Sequence, residues 1–280
     1  MRRVTPDLLG AVTGVMAARA HLAMFPLSNL DRFGLDGVDD LAVSLWWDGA
    51  SVVGVTRSGM VLPFGDPAAA PKMAAAIAER DLVGVIGERR VARALLVAAG
   101  LDGVAATLDR DEPQFLLDLA ALVVPPGQGQ LVPVADVDQS LLTGWIVAYT
   151  IEALNADPVR AQAQAESSLK RYIAARSHHV LCVDGAPVAM TGVNARVGDM
   201  VQVGGVYVPP ALRGQGYAGC AVAMDLARLR DGGMRRATLF ASGPAAARAY
   251  RGIGFTAVGD WTLSLFDGPQ RRGPGHGTVH

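Results

Sequence analysis

A run of small residues beside one arginine, between residues 204 and 218, has the composition of an anion-binding loop. The run reads Gly204-Gly205-Val206-Tyr207-Val208-Pro209-Pro210-Ala211-Leu212-Arg213-Gly214-Gln215-Gly216-Tyr217-Ala218. Its two prolines cannot donate ladder hydrogen bonds and so end a strand, and its glycines allow a tight turn into a helix. The first amides of a helix have no intrahelical partner and lie at the positive end of the helix dipole. The pattern therefore predicts a site for a phosphate or pyrophosphate group.

The same run resembles the acyl-CoA-binding signature of the GNAT superfamily of N-acetyltransferases. That signature has Arg or Gln followed by x-x-Gly-x-Gly or x-x-Gly-x-Ala, and Arg213-x-x-Gly216-x-Ala218 fits it. The resemblance implies that the loop amides hold the pyrophosphate of acetyl-CoA and that the preceding strand pairs with the pantetheine arm. The residues expected to contact this co-substrate are Val206, Tyr207, Val208, Arg213, Gly214, Gln215, Gly216, Tyr217 and Ala218.

A second segment, residues 244–255, resembles the helix that follows in the same family, with its alanines, a tyrosine and a terminal Gly-Phe. In many members that tyrosine lies beside the CoA sulfur and protonates the leaving thiolate, and Tyr250 has its position. A phenol, with a pKa of about 10, suits a thiolate whose pKa is about 8.5. Ala246 is expected to contact the co-substrate. Tyr250 lies at helical spacing from Ala246, so core packing is the alternative role for this tyrosine. Gly243 stands where many members carry Asn, which leaves the fine geometry of the co-substrate open.

A general base for the acceptor amine is not singled out by the sequence. The predicted strand from Met200 to Val208 contains no acid, although many family members carry one there. The candidates are Asp199, Glu152, Glu166 and His178. A water relay to a backbone carbonyl is an equal alternative.

The function implied by the resemblance is transfer of an acetyl group from acetyl-CoA to a primary amine, by direct attack and without a metal. The amine would belong to a small molecule or a peptide. Two alternatives remain: a non-catalytic acyl-CoA-binding or regulatory module, and an N-acyltransferase that uses longer acyl-CoA.

Three other patterns have weaker functional interpretations. Gly214-x-Gly216-x-x-Gly219 has the glycines of a dinucleotide-binding fingerprint, but no acid ends the next predicted strand. The pair His178-His179 with Cys182 supplies three metal ligands without a second pair at zinc spacing. The tryptophans that could line a pocket are Trp46, Trp47 and Trp145.

The elements predicted around the signature alternate between strands and helices. The strands are 131–134, 180–183, 187–195, 200–208, 236–241, 255–258 and 262–266. The helices are 138–155, 158–175, 217–230 and 244–251. In this order the signature loop joins a strand to a helix, as an anion site requires.

The first half is predicted to repeat this organisation in part. It has an amphipathic helix after Thr5-Pro6-Asp7, a hairpin of 41–47 with 51–57, a helix over 68–80, a strand over 82–86 and a helix over 89–99. The turn Asp48-Gly49-Ala50 resembles Asp184-Gly185-Ala186, each within a predicted hairpin. The expected fold class is α/β (α+β): tandem GNAT-like domains with a mixed, mostly antiparallel sheet flanked by helices. The N-terminal copy would be degenerate and would form a wall of the acceptor cleft or a structural partner.

A stretch rich in Pro and Gly, residues 123–130, separates the two halves. We expect a degenerate GNAT-like N-terminal domain over residues 1–126 and a catalytic GNAT domain over 131–267. Residues 268–280, rich in Gly, Arg and Pro, are expected to form a disordered tail.

The composition bears on which partners the protein binds and in which compartment it works. The net charge is −1, which gives no surface for nucleic acid. The sequence has two cysteines, Cys182 and Cys220, and so small a number favours a reducing compartment over one in which they form a disulfide. No apolar run has the length of a membrane span. Residues 2–20 resemble a signal peptide in part, but their helical spacing favours the first helix of a cytoplasmic protein. A homodimer is compatible with the sequence.

Overall fold

The structure is a computed structural model that describes residues 1–127 and 129–271. The strands in this part of the chain are β1 (Arg2–Arg3), β2 (Val43–Trp47), β3 (Val52–Thr56), β4 (Met60–Phe64), β5 (Leu82–Glu88), β6 (Ala106–Asp118), β7 (Gln130–Pro133), β8 (His178–Val183), β9 (Ala186–Val197), β10 (Met200–Tyr207), β11 (Arg236–Phe240) and β12 (Thr256–Gln270). The helices are α1 (Leu9–Ala17), α2 (Met24–Phe33), α3 (Ala70–Ala76), α4 (Arg89–Ala98), α5 (Gln139–Leu154), α6 (Pro158–Ala175), α7 (Tyr217–Asp231) and α8 (Pro244–Gly252).

The chain forms two compact units. The first contains residues 1–112 and the described residues from Gly259 onward, and the second contains Pro113–Val258. This division by compactness differs from the limits at 126, 131 and 267 expected above. Those limits concern which segments are copies of one domain, which compactness does not test, so they stay a prediction.

In the first unit the sheet order is β1-β2-β3-β4-β5-β12-β6. Neighbouring strands from β1 to β4 are antiparallel, whereas β4 and β5 are parallel. The crossover between β4 and β5 contains α3, because parallel strands need a connection long enough to return the chain to the same end of the sheet. The main core of this unit packs α3 and α4 on β3, β4 and β5 through Val53, Met73, Val85 and Leu95.

In the second unit the sheet order is β12-β6-β11-β10-β9-β8-β7. The strands β7, β8, β9 and β10 are antiparallel neighbours, and β10 and β11 are parallel, with α7 in the crossover. One face of the sheet is covered by α7 and α8 through residues such as Val222, Leu226 and Tyr250. The other face is covered by α5 and α6 through residues such as Trp145 and Leu169.

The same order of elements occurs twice along the chain. A short strand, two helices, three antiparallel strands, a helix, a parallel strand, a helix and a last strand run from β1 to β6 and again from β7 to β12. This is the mixed, mostly antiparallel sheet flanked by helices that the sequence predicted, and the predicted tandem fold class is confirmed.

The last strand of each half pairs with a strand of the other half. Residues Trp261–Leu265 of β12 lie antiparallel to β5 in the first unit, and residues Gln114–Asp118 of β6 lie antiparallel to β11 in the second. Each compact unit is therefore completed by a strand that the chain supplies from its other half.

Four elements were not predicted: β1, α2, β4 and β6. Pro26 obscures α2 in the sequence, but it lies in the first turn, where proline is tolerated. In β6 the charged residues 109–112 argue against a strand by composition. They are accommodated because Arg93 pairs with Asp109 at 2.6 Å and Arg110 pairs with Glu112.

At the C-terminus two corrections apply. The two short strands predicted at 255–258 and 262–266 form one strand, β12, which continues through Gln270. The predicted tail is therefore wrong for residues 268–270, and Arg271 pairs with Asp81 at 2.8 Å. The rest of the predicted tail, 272–280, with His276 and His280, lies outside the described residues.

The exchanged strands lead to a prediction about fragments of the chain. We expect a fragment of residues 131–271 to aggregate or to lack a cooperative unfolding transition, because without β6 the edge of β11 has no partner. A matched fragment of residues 104–271 keeps β6 and is expected to be more soluble. Near-ultraviolet circular dichroism during heating, together with size-exclusion chromatography, checks both. A monomeric 131–271 fragment that unfolds as cooperatively as 104–271 would contradict the prediction.

Candidate acyl-CoA site

The strands β10 and β11 separate before β10 ends. They pair only from Met200 with Arg236 to Gln202 with Thr238. On its other side, β10 has an irregular register with β9 between Gly204 and Tyr207, and Gly205 has φ +64° there. Gly205 and Val206 consequently have no partner in either register. The result is an opening at the carboxyl end of the parallel pair, edged by backbone groups outside the ladder.

His178 explains why glycines occupy this part of the sheet. An added Cβ at Gly192 would lie 2.2 Å from its ring, and one at Gly205 would lie 2.7 Å from its Nε2. On its other side the imidazole stacks on Tyr172, with ring centroids 3.6 Å apart. Any larger residue at either glycine would displace the ring, so the irregular register of β10 and the position of His178 depend on each other.

The signature loop follows β10 and ends at the start of α7. Pro210–Leu212 form one 3-10 turn, and Gly214 and Gly216 both have φ +81°. Gly216 is the N-cap of α7 and has no side chain to cap the helix. Within the described residues, the amides of Gly214, Gly216, Tyr217 and Ala218 donate no hydrogen bond to another part of the chain. An added Cβ at Gly214 or Gly216 would meet nothing within 4 Å, so the space beside these amides is open.

A cavity of about 590 Å³ lies against this loop and contains most of the predicted site. The predicted residues that line it are Val206, Tyr207, Val208, Arg213, Gly214, Gly216, Tyr217, Ala218, Ala246 and Tyr250. Gln215 does not line it. The structure thus brings together two segments that are more than 25 residues apart in sequence, and whether each residue contacts a co-substrate stays a prediction.

The opposite wall of the cavity comes from α5, which the sequence did not connect with the site. Tyr149, Glu152 and Ala153 line the cavity from this helix. The helical spacing of residues 149, 152 and 153 predicts that they share one face of α5. The sequence does not reveal that this face borders the cavity.

Arg213 is held by three groups at the edge of the cavity. Its Nε donates to the carbonyl oxygen of Val208 at 3.0 Å, and its Nη2 donates to Glu152 Oε2 at 2.5 Å. Its guanidinium carbon also lies 5.8 Å from the ring centroid of Tyr207. Burial, and then the charge of Glu152, raise the pKa of Tyr207, so this phenol stays protonated at neutral pH.

The position of Tyr250 is compatible with both roles weighed from the sequence, core packing and catalysis, and its catalytic role stays a prediction. It is 6% exposed and packs edge-on against Phe255, with ring centroids 6.1 Å apart, as a core residue does. It also lines the cavity opposite Val206 and the signature loop. Gly243 lines the cavity too, and an added Cβ there would meet nothing within 4 Å. The space for an asparagine is present although the side chain is missing.

Of the four candidate bases, only Glu152 lines the cavity. Asp199 pairs with Arg236 at 2.7 Å, and this hydrogen bond lowers the pKa of the Asp199 carboxyl. Glu166 is exposed on α6. His178 is buried, its Nδ1 lies 2.9 Å from Ser177 Oγ, and burial lowers its pKa to about 3. A proton acceptor with so low a pKa is a poor base near neutral pH.

The weaker patterns find no support in the structure. The described residues contain no group of three or more His, Cys, Asp or Glu side chains that could hold a metal ion. Cys182 and Cys220 are free thiols. The glycines of the dinucleotide fingerprint follow a strand that is antiparallel to β9, unlike the parallel sheet that the fingerprint requires. None of the three tryptophans lines the cavity.

The corresponding position in the first half differs from the signature loop. There Asp66 precedes the turn that leads into α3, and its carboxylate accepts a hydrogen bond from the amide of Ala68 at 2.9 Å. A carboxylate of the chain therefore occupies an amide that would otherwise be open to a phosphate. This agrees with the interpretation of the first half as a degenerate copy.

The fold and the site define a tandem α/β protein with a cavity and unpaired helix amides where a strand separates from its parallel neighbour. Residues 142–255 match the model of the acetyltransferase (GNAT) family. Over these residues the chain is therefore a GNAT-family domain, and the class of activity that this supports is acyl transfer. The predicted resemblance is confirmed.

Solved structures share the fold over nearly the whole chain. A GCN5-related N-acetyltransferase from Kribbella flavida is 19% identical, with a TM-score of 0.59 over 90% of this chain and 96% of that one. A tandem GNAT protein from the clavulanic acid biosynthesis pathway is 13% identical, with a TM-score of 0.55 over 98% of each chain. An acetyltransferase from Colwellia psychrerythraea is 13% identical, with a TM-score of 0.51 over 94% and 98%. At these identities the likeness concerns the fold.

No curated protein matches the sequence. In the part of the chain that the structure describes, none of the helices combines the length and the apolar character needed to cross a bilayer.

The open amides at the start of α7 lead to a prediction for Gly216→Asp. The new carboxylate would take the amides itself, as Asp66 does at its own helix, and it would repel phosphate. We expect CoA affinity to fall by about 100-fold or more, the scale of losing two hydrogen bonds to a charged group. Isothermal titration calorimetry with CoA measures the change.

Gly233→Asp is the matched control, because Gly233 follows the other end of α7 with φ +95° and open space. Both variants are expected to lose about 1–2 kcal/mol of stability from a non-glycine residue at positive φ. Equal loss of CoA affinity in the two variants would show that strain, and not the anion site, is responsible.

Burial of His178 leads to a prediction about pH. The native state keeps this imidazole neutral down to about pH 3, whereas the unfolded chain binds the proton near pH 6.5. The unfolded state therefore binds more protons than the native state between these two pH values. The stability that the buried, neutral His178 contributes is fully present above pH 6.5 and is lost as the pH falls. Urea unfolding from pH 6 to 4 should show the wild type losing about 1.4 kcal/mol per pH unit more than His178→Phe. Parallel slopes for the two proteins would contradict a buried neutral histidine.

Proposed function

We propose that this protein is an N-acyltransferase that transfers an acetyl group from acetyl-CoA to a primary amine. One observation carries the proposal: Gly216, Tyr217 and Ala218, whose amides donate no hydrogen bond to the described chain, line the same cavity as Tyr250. The first group suits a pyrophosphate, and the second suits a leaving thiolate. Their presence in one cavity, within a GNAT-family domain, supports acyl transfer from a CoA thioester.

The fit of the chain to CoA rests on space, charge and backbone direction. Gly214 and Gly216 leave room beside the amides, and Arg213 and Arg248 add positive charge to the cavity. Pyrophosphate at a helix N-terminus beside a guanidinium is a favourable combination. Val206 and Val208 line the same cavity as the loop and Tyr250, so their backbone groups are available to an extended arm.

In this proposal the amides of α7 and Arg213 hold the phosphates, and Val206 and Val208 align the pantetheine arm through their backbone groups. Acetyl-CoA supplies an acyl group activated as a thioester. The backbone near Val206, which lies outside both strand registers, donates an N–H to the carbonyl oxygen as negative charge develops there.

The amine nitrogen forms a bond to the carbonyl carbon, and the bond from that carbon to sulfur breaks. Tyr250 donates its phenolic proton to the departing sulfur and regains one from solvent, while the amine loses its proton to a base or to water. No covalent enzyme intermediate is involved. The free thiols of Cys182 and Cys220 fit the reducing, cytoplasmic setting that we also propose.

Tyr250→Phe tests the role of the phenol. We expect kcat to fall by about 100-fold or more, as for removal of a general acid, with KM for acetyl-CoA nearly unchanged because the ring remains. Thiol release measured across a panel of primary amines gives both constants. Tyr172→Phe is the control, since Tyr172 packs on His178 and does not line the cavity.

The outcomes separate the proposal from its alternatives. CoA binding without turnover of any amine, and without an effect of Tyr250→Phe, would assign a non-catalytic acyl-CoA-binding module. Competition among acetyl-, butyryl- and octanoyl-CoA measures the preferred acyl length, and a preference for octanoyl-CoA would overturn the acetyl assignment.

A further inference from the structure

The ion pair between Glu152 and Arg213 joins the two walls of the cavity. Glu152 lies on α5 and Arg213 in the signature loop, and their side chains meet at 2.5 Å. Because Arg213 also donates to the Val208 carbonyl, its guanidinium is positioned by groups of the chain itself. The arginine of the signature is therefore already engaged by a carboxylate before a phosphate arrives.

The charges around the cavity are unequal. Among the described residues that line it, Glu152 is the one acid, and Arg213 and Arg248 are the two guanidinium groups. The carboxylate cancels one of these two positive charges. A site that only attracts phosphates would bind them more tightly without Glu152. The position of this carboxylate in the cavity therefore suggests another function.

Exchange of partners at Arg213 costs little. The side chains of Arg213 and Glu152 are 48% and 43% exposed, and ion pairs so exposed to water contribute little to stability. A phosphate offers more charge and more acceptor oxygens than a carboxylate. Phosphates that enter the loop can accordingly displace Glu152 from Arg213.

Once displaced, Glu152 remains an unpaired carboxylate at the cavity wall. Tyr207 stays near it and is protonated, since burial and the Glu152 charge raise its pKa, so the phenol can hold the carboxylate in place. A primary amine arrives as an ammonium ion at neutral pH. The freed carboxylate is the one acidic side chain of the cavity lining that could receive it.

We propose that Glu152 is an exchangeable latch: CoA phosphates release it from Arg213, and the released carboxylate then binds the ammonium group of the acceptor. This inference rests on the proposed function and extends it in two respects. The acceptor is a cationic amine, and acyl-CoA binds before it. Glu152 binds and orients the amine, and Tyr250 remains the residue next to the reacting sulfur.

Calorimetry with CoA tests the first half of the proposal. Glu152→Gln keeps the size of the side chain and a hydrogen-bond acceptor for Arg213, but it removes the competing charge. We expect CoA to bind this variant about threefold or more tightly than wild type, the effect of removing one nearby like charge from a solvated anion site. Asp231→Asn removes the same charge from an exposed pair at the end of α7, away from the cavity, and should leave the affinity unchanged.

The Arg213→Gln background shows whether Glu152 acts through Arg213. There the gain from Glu152→Gln should shrink, because the guanidinium for which carboxylate and phosphate compete is gone. An unchanged or weaker affinity of Glu152→Gln in the wild-type background would overturn the latch. Wild-type protein that does not bind CoA would instead overturn the proposed function, so the two failures are distinguishable.

Steady-state kinetics test the second half. With the amine that wild type turns over fastest, Glu152→Gln should raise KM for the amine about tenfold, the scale of losing one charged contact, with kcat nearly unchanged. That amine should also bind wild type measurably only when CoA is present. An unchanged KM, or equal amine binding with and without CoA, would overturn the assignment of the acceptor contact to Glu152.

Discussion

The first turn of α7 contains amides that no carbonyl of the helix can reach. At many helix starts a side chain satisfies some of these groups, but here Gly216 occupies the N-cap and has no side chain to do so. The unpaired amides are the basis of the proposed anion site, whose location is set by β10, which must end and turn away before the helix begins. The separation of β10 from β11, the two prolines and the two glycines at positive φ all serve that one requirement.

The two halves differ at the start of the corresponding helices. The first half has the same sequence of strands and helices, including a parallel pair and a helix in the crossover. Asp66 lies before the turn that leads into that helix, and its carboxylate accepts a hydrogen bond from the amide of Ala68. One acidic side chain thus supplies an internal acceptor at this position, while the order of strands and helices is kept.

The two halves also depend on each other through their last strands. A β-sheet edge presents unpaired backbone groups, and each half completes its edge with β6 or β12 from the other. This pairing gives a physical reason to keep the first half that is independent of any chemistry. The second half has no complete sheet without the strand that the first half supplies.

The sequence by itself determined the local features of this protein. The signature loop, the helix that follows it and Tyr250 were predicted because their residue types act locally: glycine and proline restrict the backbone, and amides at a helix start need no distant partner. Tertiary structure alone decided the rest. Glu152 reaches the site because α5 crosses the sheet face beside β10, and β6 forms despite residues 109–112 because distant arginines neutralise them. Such contacts join residues far apart in the chain, and no local pattern carries information about which side chain will stand opposite.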